Sequence, residues 1–133
     1  MQELLAPEKL IFLDRNWADV GTRTSCKPQI TVHTGIAEKH IDALTVSSKN
    51  VSVAEKLSWA VERRTSRQED LSYCLLGLFS INIPLLYGEG GKAFDRLQGE
   101  IIRSSNDESI LLWDSTNAIT CSERVLASSP RDF

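Results

Sequence analysis

The sequence predicts a mainly α protein with a small β component, an α+β fold in which a helical, bundle-like region carries most of the core. Three observations predict it. Apolar stripes at helical spacing recur in three consecutive segments between residues 52 and 104. Helix-start signals of the Ser-x-x-Glu type precede two of them. Only Leu10–Leu13 and Ser109–Trp113 read as strands, and two strands make no stable sheet alone.

Taken in order, "LIFL" after Pro7 is short, apolar and β-prone, which predicts a buried strand over Leu10–Leu13. In "KPQITVHTGI", Pro28 suits a helix start and Gly35 a helix stop. A short helix is expected over Ile36–Leu44, followed by a polar loop at "TVSSKN". Ser52 and Glu55 form a capping box for "SVAEKLSWAVER", whose Val53, Leu57, Ala60 and Val61 share a face, so a helix is expected near 52–62.

Ser66 and Glu69 repeat the pattern before a helix near 69–79. Its Leu71, Leu75 and Leu78 make one face, widened by Cys74, Leu76 and Phe79. Pro84 and "YGEG" break the chain. A helix near 91–104 follows, with Phe94, Leu97 and Ile101 in line, Ala93 and Ile102 beside them, and an Arg96–Glu100 pair on the wet face. "SILLW" is read as a strand and "ASSPRDF" as a loop. The expected core is Leu57, Leu71, Leu75, Leu78, Phe94, Leu97 and Ile101, with Trp59 and Tyr87 substantially buried.

Composition narrows the function classes. The chain of 133 residues is 41% hydrophobic and 25% charged, which suits one globular domain with a real core. A net charge of −3 gives no general basic field for nucleic acid. Apolar runs are too short for a membrane-spanning helix, and no signal peptide opens the chain. Cys26, Cys74 and Cys121 are odd in number and far apart, which fits a reducing, cytoplasmic setting better than a disulfide framework. Cys74 is read as a small buried hydrophobe.

The stretch most suggestive of ligand chemistry is "NIPLLYGEGGKAFDRL". A phosphate loop of the G-x-x-x-x-G-K-[ST] type would need Gly at Leu86 and Ser or Thr at Ala93, and so fails twice. Gly88, Gly90 and Ala93 do satisfy G-x-G-x-x-A, but Pro84 is unwelcome in a preceding central strand and Glu89 would repel a pyrophosphate. Gly88, Gly90 and Lys92 stand as the cofactor-binding candidates. The favoured reading is a turn whose glycines supply positive φ, so no cofactor is assigned.

His33 and His40, seven apart around Gly35, lack metal-ligand spacing, and no metal is expected. No nucleophile motif appears. The carboxylate pairs Glu69–Asp70 and Asp107–Glu108 lie where helix starts favour acids. In "ERRTSRQED", Arg63, Arg64 and Arg67 are expected to pair with Glu62, Glu69 and Asp70 across a solvated linker; a grip on a phosphate or a partner's carboxylate is the less favoured reading.

The stretches "QELLAP", "IFLDRNW", "TGI", "LSWAVERRTSRQEDLSYCLLGLFSINIPLLYGEGGKAFDRLQGEII" and "LASSPRDF" resemble fungal heterokaryon-incompatibility (HET) domain proteins, in the HET-E-like vegetative incompatibility branch. The likeness runs from about Gln2 to Phe133 and is most specific from Trp59 to Ile102. It implies a remnant of a TIR-like α/β core over residues 1–45, from the C-terminal part of the HET domain, and a helical accessory region over 46–133.

Several family motifs precede the point at which this chain starts, so a truncated core is expected, and Glu3 is the one residue nominated as a leftover catalytic acid. The resemblance implies a non-enzymatic interaction or regulatory module in vegetative incompatibility, non-self recognition and programmed cell death. Its protein partners would be other regions of HET-type proteins or a second copy. The alternative is an incomplete TIR-like, NAD-processing or nucleotide-binding domain that needs its missing half.

Overall fold

A computed structural model describes residues 2–5, 7–41, 51–114 and 125–133. The fold is mainly α with a small β component. The chain forms two compact units, residues 1–51 and 52–133. Among the described residues no helix is long and apolar enough to cross a membrane.

The first unit opens with helix α1 (Gln2–Leu5), followed by strands β1 (Ile11–Leu13) and β2 (Asp19–Thr22). The strands pair antiparallel, Ile11 opposite Thr22 and Phe12 opposite Gly21, with an irregularity before Leu13 meets Asp19. The expected strand is therefore present, but it is not buried: Ile11 and Leu13 are 57% and 47% exposed. Its partner is the neighbouring segment, Asp19–Thr22. The link between the strands is organised by Asp14, whose Oδ1 accepts from the amides of Asn16 (2.7 Å) and Ala18 (2.9 Å).

Arg23 ties this unit together. Its buried guanidinium donates to the carbonyls of Leu4 (3.1 Å), Leu5 (3.2 Å), Pro7 and Glu8 (2.8 Å). Helix α2 (Lys27–Thr34) has Pro28 in its first turn and stops at left-handed Gly35, whose amide donates to the Thr31 carbonyl. That boundary is where Pro and Gly place it. A 3₁₀ turn at Glu38–His40 replaces the first part of the helix expected over Ile36–Leu44; the rest of that segment and the "TVSSKN" loop lie outside the described residues.

The second unit holds α3 (Val53–Ser58), α4 (Gln68–Tyr73), α5 (Leu76–Phe79) and α6 (Lys92–Ser104). All seven expected core side chains are buried, and so is Trp59. Three side chains cap α3. Ser52 Oγ accepts from the Glu55 amide (3.2 Å), Asp107 Oδ2 from Val53 (2.8 Å) and Ser109 Oγ from Ala54 (3.1 Å). Asp107 Oδ1 also accepts from the Ser109 amide, which starts a 3₁₀ turn at Glu108–Leu111. The strand expected at Ser109–Trp113 is thus a capped turn, with Ile110 buried and Leu111 and Leu112 facing water. Apolar, β-prone content lost to local capping by Asp107.

The helix expected over 69–79 is two short helices, because Leu75 bonds back to the Ser72 carbonyl (3.1 Å) and Leu78 to that of Leu75 (2.9 Å), a tighter i→i+3 turn. Cys74 is half-buried rather than core, its thiol donating to the Leu71 carbonyl. Helix α6 packs on α4 and buries Ala93, Phe94, Leu97, Gln98 and Ile101, while Ile102 is 48% exposed. Gln98 Nε2 donates to the Ala127 carbonyl (3.0 Å) and so holds the C-terminal segment. There "ASSPRDF" is more ordered than a loop: Ser129 and Asp132 form a capping box around a 3₁₀ turn at Pro130–Asp132. Glu100 pairs with Arg103, and Arg96 turns to Glu89 instead of Glu100.

Candidate functional site

The glycine-rich corner between α5 and α6 is built by two residues of α4 and one of α6. Gly88 (φ 95°) and Gly90 (φ 57°) both adopt left-handed backbone, which explains glycine at each. Their amides converge on a single oxygen: Glu69 Oε1 accepts from Gly88 at 2.8 Å and from Gly90 at 3.0 Å. Successive amides in such a turn form an anion-binding concavity. Here the anion is the chain's own carboxylate.

A second anchor lies beside it. Tyr73 Oη accepts from the Leu86 amide (2.8 Å), and its proton is within reach of the Leu86 carbonyl (2.8 Å) and Glu89 Oε1 (2.9 Å). Arg96 completes the frame, donating to Glu89 Oε1 (2.6 Å) and to the Pro84 carbonyl (2.9 Å). Tyr87 stands edge-on to Tyr73, ring centroids 5.7 Å apart, with the Arg67 guanidinium 5.1 Å from its ring centre. Its expected burial fails: Tyr87 is 55% exposed, as are Leu85 and Leu86 to similar degrees. The turn is held from beneath by Glu69 and Tyr73, so its own large side chains are left outside.

The electrostatics follow from these contacts. Amide hydrogen bonds, from its own backbone and from Gly90 and Gly88, hold the Glu69 carboxyl below the usual carboxylate range, with a further contribution from Arg67. Burial and then the Glu89 hydrogen bond push the Tyr73 phenol up. The charge of Asp70 raises the Tyr87 phenol. Asp107, at the start of α3, is also lowered, first by its hydrogen bond with the Ser109 side chain.

A carboxylate depressed in the folded state contributes stability that is present at neutral pH and lost as pH falls through its folded value. The second unit should therefore weaken below the ordinary carboxylate range, near pH 4 or lower for Glu69 and Asp107 together. Glu69→Gln keeps an oxygen for the two amides but removes the charge. Thermal melts at pH 7 and about pH 3 should show a lower melting temperature for the variant at pH 7 and a smaller acid-induced drop than in the wild type. Equal drops in the two proteins would sink this assignment.

Of the candidates read from the sequence, Gly88, Gly90 and Lys92 come together at this corner. Lys92 is exposed on the first turn of α6, its amide donating to the Glu89 carbonyl (3.2 Å). Glu3 lies on α1 in the other unit, and its side chain is outside the described residues. His33 is exposed on α2 and His40 is buried. Among the described residues no group of three His, Cys, Asp or Glu side chains is placed to hold a metal ion.

Sequence reasoning missed Glu69, which it assigned to a local capping box with Ser66. Arg67, not Ser66, precedes α4, and no side-chain cap is made there. The signal available was the acid itself, one helix away from two glycines. The arginine pairings also differ. Among the described residues Arg63, Arg64 and Arg67 form no ion pair with Glu62, Glu69 or Asp70, because Glu69 is drawn to the corner and Arg67 to Tyr87.

No protein-family model matches the chain, and no solved structure matches it. Over 102 residues, 76% of its length, the chain is 38% identical to the vegetative incompatibility protein HET-E-1 of Podospora anserina. Those residues span 7% of that protein.

Proposed function

We propose, from the premise that this is a HET-E-like fungal protein, that the chain is a non-enzymatic interaction and regulatory module of heterokaryon incompatibility. In this reading residues 1–45 are the remnant of a TIR-like HET core and residues 46–133 the accessory helical region after it. Its partners are other regions of HET-type proteins or a second copy, met in the cytoplasm during non-self recognition and the cell death that follows.

One observation carries the non-enzymatic part. The turn that most resembles a nucleotide loop spends its amides on Glu69, so Gly88 and Gly90 serve the corner's shape. A catalytic acid such as Glu3 also needs partners that orient and tune it. The rival reading, an incomplete NAD-processing or nucleotide-binding domain, requires those amides to be released to a ligand.

The test has two arms. Produced in a fungal strain undergoing an incompatibility reaction, the chain should alter the extent of cell death, and Lys92→Ala should act like the wild type. The purified chain should release no nicotinamide from NAD above the blank. No effect on cell death removes the regulatory role. Nicotinamide release that disappears in Glu3→Ala or Lys92→Ala establishes the rival.

A further inference from the structure

The second unit carries a charged cleft that the incompatibility reading does not use. It lies where the chain leaves α3, lined by Val61, Glu62, Arg63, Arg64, Thr65 and Arg131, with a volume of about 410 Å³. That volume is on the scale of small-ligand sites. Its wall is polar and cationic, unlike the apolar pocket typical of drug-like ligands. Three arginines and one glutamate line it, so the lining residues carry a net two positive charges in a chain whose overall charge is −3.

The three arginines arrive from distant places in the sequence, two from the stretch after α3 and one from the C-terminal 3₁₀ turn. The Gln98 bond to the Ala127 carbonyl and the Ser129–Asp132 capping box fix the segment that carries Arg131. Thr65 is fixed too, its hydroxyl donating to the Arg67 carbonyl (2.6 Å). Arg63 is half-buried, and Arg64 and Arg131 are exposed. Among the described residues none of the three guanidinium groups makes a hydrogen bond or ion pair. The nearby acids do not neutralise them. Asp132 Oδ2 is committed to the amides of Ser128 (2.9 Å) and Ser129 (3.0 Å) and to the Ser128 hydroxyl, and among the described residues Glu62 forms no ion pair.

Unpaired like charges brought together cost free energy unless a counter-charge joins them. Guanidinium forks match phosphate oxygens two at a time, which a point charge such as lysine cannot do. We propose that this cleft is a binding site for a small ligand carrying a diphosphate group, held by Arg63, Arg64 and Arg131. A diphosphate supplies oxygens on two linked centres and enough negative charge to outweigh Glu62. A lone carboxylate would leave two guanidinium groups unanswered. The proposal is separate from the incompatibility role and from the glycine corner: it uses neither Gly88, Gly90 nor Lys92.

Inorganic pyrophosphate is the probe, titrated calorimetrically into the whole chain at low ionic strength. Saturable binding is expected, weakening as salt is raised because the site is open to solvent. The double variant Arg64→Gln/Arg131→Gln should bind about tenfold more weakly or worse. Glu62→Gln removes the opposing charge and should tighten binding by about threefold. This gain keeps the test decisive should the double variant fail to fold. Lys92→Ala should leave binding unchanged. Absence of saturable binding to the folded wild type overturns the proposal, as does wild-type affinity in the folded double variant. Malonate bound as tightly as pyrophosphate overturns the assignment to phosphate.

Discussion

Phe94→Ala should cost the second unit about 3–5 kcal/mol, the range for truncating a fully packed aromatic side chain. Phe94 is 2% exposed on the face of α6 that also buries Leu97 and Ile101, and α6 packs on α4. Leu71 and Leu75, also buried in this unit, lie on backbone that α4 and its tight turn hold in place, so the vacated volume would close only in part. A loss of this size is a large fraction of the total stability of a small domain, about 5–15 kcal/mol. Urea unfolding followed by far-UV circular dichroism measures it. Phe94→Leu, which keeps most of the volume, should lose about 1.5 kcal/mol or less. An unchanged midpoint in Phe94→Ala would remove α6 from the core.

Arg23→Met should unravel the first unit. Four backbone carbonyls between Leu4 and Glu8 accept from this one guanidinium. They are its counterpart in place of a carboxylate. Methionine fills similar volume but donates nothing, leaving one buried and three partly buried bonds unmade at a cost of roughly 2–3 kcal/mol. Lysine offers donors from a single point and cannot span the four carbonyls, so Arg23→Lys should restore only part of the loss. Amide hydrogen exchange reads the effect locally. The Arg23 amide, bonded to the Leu10 carbonyl at 3.1 Å, and the amides of the β1–β2 ribbon should lose protection. Unchanged protection there would show that the segment holds itself without Arg23.

What could be read from the sequence was what is encoded locally. Pro28 and Gly35 bracket α2 because one residue lacks an amide the first turn does not need and the other tolerates left-handed backbone. Ser52 caps α3 as its spacing from Glu55 implies. Leu71, Leu75, Leu78, Phe94, Leu97 and Ile101 are inside because their spacing puts them on one face each.

Three of the errors involve partners distant in sequence. Ser109–Trp113 is apolar enough for a strand, yet Asp107 and Ser109 are recruited to the free amides of α3, 54 and 55 residues earlier. Tyr87 looks like core from its type alone. Glu69 and Tyr73 hold the backbone of its turn, which leaves the ring at the surface against Tyr73 and Arg67. The arginines of "ERRTSRQED" seem neutralised by adjacent acids on paper. In three dimensions Glu69 is engaged at the glycine corner and Asp70 with Tyr87, and Arg131 joins Arg63 and Arg64 from the far end of the chain. A candidate site assembled in this way leaves little trace in any single stretch.

The bond from Glu69 to the corner also makes two separate stretches of chain depend on each other. Its two contacts reach 19 and 21 residues ahead, so the bend has no full set of instructions of its own. Closing that loop loses chain entropy before any reward arrives. The bend therefore takes its final form only together with the α4 residue that holds it, so the corner, α4 and the start of α6 are expected to be won or lost as one cooperative unit.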